Sequence, residues 1–82
     1  MEDEKQIGKI IHFYPKISVG IIELTDSLSV GETIHIKGAS SDFEQTVDSM
    51  QVEHENIEKA KKGDVIGLKV TNEAKEGDLV YK

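Results

Sequence analysis

Apolar residues along this chain fall mostly on alternate positions, in short runs parted by clusters of Gly, Asp, Ser and Asn. That is the pattern of half-buried strands joined by turns. Six segments carry it: QIGKIIHF at 6–13, ISVGIIEL at 17–24, ETIHIKG at 32–38, FEQTVDSMQVEH at 43–54, DVIGLKV at 64–70 and DLVYK at 78–82. In the third, Ile34 and Ile36 share one face while His35 and Lys37 share the other. In the fifth, Ile66, Leu68 and Val70 oppose Gly67 and Lys69. Such strands bury one face and wet the other.

Two segments break phase. Val19 and Ile21 alternate, but Ile22 and Leu24 lie on the other phase; Phe43 and Val47 alternate, but Met50 and Val52 have shifted by one. These slips predict a bulge or bend near Ile21 and another near Asp48-Ser49. A short helical turn is predicted over IEKAKK at 57–62, capped by Asn56 and ended by Gly63. Six short strands in so small a chain predict closure, because an open sheet exposes two edges. The expected fold is all-β: a small closed six-stranded antiparallel barrel, Greek-key-like, in a single domain at 6–82 after a flexible acidic tail at 1–5.

One motif occurs three times, as LSVGETI, AKKGDVI and AKEGDLV. Each has an apolar residue, two spacers, a glycine, an acid, one more residue and an apolar residue. The glycines are Gly31, Gly63 and Gly77; the acids are Glu32, Asp64 and Asp78. A glycine of positive φ beside an acid that bonds nearby amides makes a turn leading into a new strand. One acid per turn lacks the ligand density of a calcium loop.

The chain has 82 residues, and at that size only roughly 60% of the unfolded surface is buried on folding, so the core is thin. Ten isoleucines supply much of it. No cysteine is present, which excludes disulfides, thiolate zinc sites and cysteine nucleophiles and fits a reducing compartment. No apolar run approaches the roughly 20 residues of a membrane span, and MEDEKQ is the reverse of a signal peptide, so the cytoplasm is the expected location. The net charge is −6 and all ten cations are lysine, which opposes bulk polyphosphate binding and leaves no guanidinium fork. No contact with DNA is expected.

Catalysis finds no foothold. No G-x-S-x-G elbow is present, and the only Gly-Lys step, Gly8-Lys9, runs into Ile10 with no upstream glycine, so no phosphate loop can form. His12, His35 and His54 fall in different strands. In Glu53-His54-Glu55, neighbouring side chains point to opposite faces. No catalytic, metal or cofactor site is expected. What remains is binding. In HFYPKISVG at 12–20, Pro15 fits the break between two strands, Phe13 fits the core, and Ile17, Val19 and Ile21 are expected in the barrel wall. Phe43, in phase with Val47, is expected in the core. His12, Tyr14 and Lys16 are left as contact candidates, with Lys9, Lys37 and Lys69 adding charge if their strands bring them to one side. Tyr14 can stack on a base and Lys16 can neutralise a phosphate.

LSVGETIHIKG and KAKKGDVIGLKV resemble the second domain of translational GTPases such as elongation factor Tu, through Leu28, Gly31, Glu32 and Ile34, then Ala60, Gly63, Asp64, Ile66 and Gly67. A closer resemblance is to the small C-terminal domain of the collagenase-like peptidase family, some members of which serve in RNA modification. Tyr14, Pro15, Lys16, Ile17 and Val19 carry it, together with the run from Asp42 to Gln51. These resemblances imply a translation-factor-type barrel. They imply a non-catalytic module that contacts RNA (tRNA or the ribosome), or one that docks to a separate catalytic subunit of a peptidase or RNA-modifying enzyme. The oligomeric state is left open.

Overall fold

A computed structural model describes residues 5–39, 42–52 and 55–82. Ten strands run in chain order: β1 (Gln6–Tyr14), β2 (Val19–Leu24), β3 (Leu28–Ser29), β4 (Thr33–Lys37), β5 (Asp42–Thr46), β6 (Met50–Val52), β7 (Glu55–Ile57), β8 (Lys59–Ala60), β9 (Val65–Lys69) and β10 (Leu79–Tyr81). Eight form one antiparallel sheet in the order β5-β4-β10-β1-β2-β9-β6-β7, curved into a half-barrel, while β3 and β8 pair as a separate ribbon.

The expectation of an all-β antiparallel fold holds; the closed six-stranded barrel does not. Among the described residues the ladder ends at β5 on one side and β7 on the other. A side chain of β5 reaches the end of β9 instead. Gln45, buried on β5, donates from Nε2 to the Lys69 carbonyl at 2.9 Å and accepts from the Thr71 N–H at 2.9 Å. Its primary amide thereby satisfies two backbone groups at the end of β9. The predicted helical turn is absent as well. Residues 57–62 carry the end of β7 and all of β8, because Ile57 pairs with Met50 and Ala60 with Leu28. Six residues of helix cannot outweigh such pairings, since nucleation costs more than so short a helix returns.

The slip expected near Asp48-Ser49 marks a real break: the long fourth segment divides there into β5 and β6, which lie far apart in the sheet. The slip expected at Ile21 is not a bulge in β2. That strand alternates throughout, with Gly20, Ile22 and Leu24 buried and Val19 and Ile21 half-buried on the other face. The irregularity lies in its partner instead, where the β1 register shifts between Ile10 and His12. The tail expected at 1–5 falls outside the described residues except for Lys5, whose backbone exchanges two hydrogen bonds with Lys82, at 3.0 and 2.9 Å.

The three glycine–acid turns share one geometry. Gly31, Gly63 and Gly77 take φ of 99°, 94° and 97°. Such a value at the third position of a turn suits glycine. Each acid donates its backbone N–H to the residue three before it and accepts that residue's N–H on its carboxylate: Glu32 with Ser29, Asp64 with Lys61 and Asp78 with Lys75. Each glycine N–H then donates to a neighbouring strand, to the carbonyl of Val47, Leu24 or Ile10 respectively, and those residues' N–H groups donate back to the acids' carbonyls. The turns therefore launch β4, β9 and β10 in register with the strands they pair with. Leu28, Ala60 and Ala74 before the turns, and Ile34, Ile66 and Val80 after them, are all buried.

Inward-facing residues from the strands meet in one core that includes Ile7, Ile10, Ile22, Ile36, Met50 and Leu68, all fully buried. Phe13 and Phe43 pack against its margin.

Candidate functional site

With one face of the sheet turned to the core, anything that recognises a partner has to use the other. The register of β1, β2 and β9 assembles three outward rows there. Tyr14 lies opposite Val19, which lies opposite Lys69; His12 lies opposite Ile21, then Gly67, then Gln51; Lys9 lies opposite Glu23, then Val65. The bulge in β1 turns both His12 and Tyr14 outward, and their rings meet edge-on with centroids 4.5 Å apart. Pro15 to Ser18 form the hairpin that follows, with Ser18 at φ 55°.

Not all six contact candidates come together. Tyr14, His12 and Lys69 share this part of the outer face, and Lys16 is exposed on the hairpin beside them. Lys9 stands opposite Glu23, which offsets its charge. Lys37 is on β4, beyond β10 from this region, with Nζ 5.5 Å from the centre of the Tyr81 ring. Beside it, His35 Nε2 lies 2.5 Å from Asp42 Oδ1. That hydrogen bond, with the nearby His35 and Lys37 charges, holds the Asp42 carboxyl below the usual carboxylate range. Lysines spread in this way do not form a continuous track for a phosphate backbone.

A different feature dominates the region. Ile17, Val19 and Ile21, expected in the barrel wall, line an outward groove of about 600 Å³ together with Tyr14 and Val65, and Gly67 forms part of its floor. Ile17 is 61% exposed, and Tyr14 and Val65 are each 45% exposed. The signal was present in the chain, in the adjacent pairs Ile21-Ile22 and Val65-Ile66. Two neighbouring apolar residues in an antiparallel strand occupy both faces, so one of them must face outward. Asp64 sits at the end of the groove, but its carboxylate is engaged with the Lys61 N–H. Among the described residues no group of three or more His, Asp or Glu side chains could hold a metal ion. His54 and Glu53 lie outside the described residues. No helix among the described residues is long and apolar enough to cross a membrane.

Comparison with known proteins agrees with the peptidase resemblance. The chain is 44% identical over 77 residues to an uncharacterized protease of Methanocaldococcus jannaschii, a match that covers 93% of this chain and 19% of that protein. The chain thus spans about a fifth of the length of the curated relative it matches. No family model matches. In fold it is similar to the C-terminal domain of a Geobacillus thermoleovorans protein assigned to the U32 peptidases. One crystal structure of that domain superposes with a TM-score of 0.90 at 14% identity, covering 95% of this chain and 99% of the other. A second gives 0.87 at 13% identity, covering 93% and 89%. The likeness to elongation factor Tu gains no support from these matches.

Proposed function

We propose that this chain is a non-catalytic docking module of the U32 peptidase type, which works seated against a separate catalytic portion. The match to one stretch of a much longer protease carries this reading. At 44% identity over 93% of the chain, the chain corresponds to a minor part of a protein named a protease, which leaves the remaining four-fifths of that protein to hold a catalytic portion. The superposition on an isolated peptidase C-terminal domain supports the same fold assignment. The outer face agrees, in that it offers apolar side chains for packing.

The test is assembly in trans. The M. jannaschii protease lacking its matching stretch is mixed with this chain and followed by sedimentation in low and high salt. A one-to-one complex that survives high salt is expected, since apolar packing is insensitive to counterions. If the chain instead binds tRNA with an affinity that falls steeply as salt rises, and forms no complex with the protease, the docking reading is overturned in favour of an RNA-contacting module.

A further inference from the structure

We infer that the groove lined by Tyr14, Ile17, Val19, Ile21 and Val65 is the surface on which the catalytic portion of a peptidase seats; the inference rests on the docking reading above. Four observations lead to it. First, the apolar cluster does nothing for the core. Val19 and Ile21 lie opposite the buried Gly20, Ile22 and Leu24, and Ile17 projects from a hairpin loop where a polar residue would satisfy the fold equally well. Second, the cluster is local. Elsewhere the same outer face carries His35, Lys37, Asp42 and Glu44, as a solvated sheet face should.

Third, the surface is concave for a definite reason. Gly67 leaves the middle of the His12–Ile21–Gln51 row without a side chain. A Cβ placed there would stand 3.6 Å from Ile21 Cδ1 and 3.7 Å from Val19 Cγ1, so the two aliphatic chains lean over a vacant position. That shape receives a projecting apolar side chain. Tyr14 at the rim adds a large apolar body with a polar tip, the kind of residue enriched where protein surfaces meet. Fourth, the occupant is indicated by what lies beyond this domain in its relative. The matching stretch makes up 19% of the M. jannaschii protease, so a far larger body is tethered to it at high effective concentration.

The chain has no cysteine, so a single introduced thiol reports its own exposure. Ile17→Cys and, as reference at the far end of the sheet, Glu44→Cys are each made in the free chain and in a chimera. In the chimera this chain replaces the matching stretch of the protease. Alkylation at each site is followed by mass spectrometry. Carrying the exposed Ile17 to Cys leaves the core untouched, so the variant folds. In the chimera, alkylation at Ile17→Cys is expected to slow by about tenfold or more, the ratio for a site covered in about nine molecules of ten, with Glu44→Cys unchanged. Protection of Glu44→Cys alone, or of both sites equally, overturns the groove and leaves docking intact. Equal reactivity of both sites in chimera and free chain overturns the groove, and the docking reading then stands or falls on complex formation with the shortened protease. Protection of Ile17→Cys that requires added tRNA assigns the groove to nucleic acid and overturns the inference. As an independent check, Gly67→Leu fills the vacant position and is expected to weaken association with the shortened protease by about tenfold or more; unchanged affinity counts against the groove.

Discussion

At the residue scale, Gly38 and Asp78 show how closely one side chain can be fitted to a backbone. A Cβ on Gly38 would lie 1.9 Å from Asp78 Oδ1, while Asp78 Oδ2 accepts the Lys75 N–H at 2.9 Å in a site only 5% exposed. Gly38→Ala must therefore displace a carboxylate that holds a turn, and it should cost about 1–3 kcal/mol in urea unfolding. Gly77→Ala, at a φ of 97°, should cost about 1–2 kcal/mol in the same measurement, from the left-handed backbone alone. The pH dependence is equally local. Asp42 and Asp26 both titrate below the ordinary carboxylate range, Asp42 through His35 and Asp26 through Lys5. A lowered folded-state value means the contribution to stability is present above the unfolded value and is lost as pH falls through the folded one. Asp42→Asn should therefore lower the urea midpoint near neutral pH and make no difference at pH values acidic enough to protonate both states. The glycine–acid spacing was legible because few residues tolerate a positive φ and few accept a hydrogen bond three residues back. The Gly38–Asp78 contact was not, since nothing local in the sequence joins a position just after β4 to one just before β10.

At the element scale, strands with a clean period of two were legible: β4 and β9 follow the alternation of Ile34 and Ile36, and of Ile66 and Leu68. The two-residue strands β3 and β8 were not, because two residues have no period and their partner is remote in sequence. The helical turn failed for a related reason: the spacing of Ile57 and Ala60 suits a helix, but each residue is claimed by a strand partner. In β2 the error was one of interpretation. Both phases are apolar because both faces are used, one for the core and one for the groove. That difference predicts contrasting responses to substitution in β2 and just ahead of it. Ile22→Ala, in the core, should cost about 2–5 kcal/mol. Ile17→Lys, just ahead of the strand, should change stability by less than about 0.5 kcal/mol. The Gln45 bridge belongs to this scale too. Gln45→Ala strands the Lys69 carbonyl and the Thr71 N–H, and should cost about 1–3 kcal/mol with faster hydrogen exchange at Thr71.

At the scale of the whole molecule, β10 is placed between β4 and β1. The three residues of β10 thus join the β4–β5 hairpin to the rest of the sheet, and the fully buried Val80 sits among them. β1 cannot complete its ladder until β10 has been made, so the pairing that unites the sheet closes a loop that includes every other strand of the fold. Loop closure over such a span must precede the contacts that reward it. Folding should consequently take milliseconds to seconds, in the slow range for so short a chain, and a nascent chain still lacking Leu79–Tyr81 should stay sensitive to protease on the ribosome. Without β10 the strands fall into two groups, β5-β4 and β1-β2-β9-β6-β7, and its pairing alone makes them one sheet.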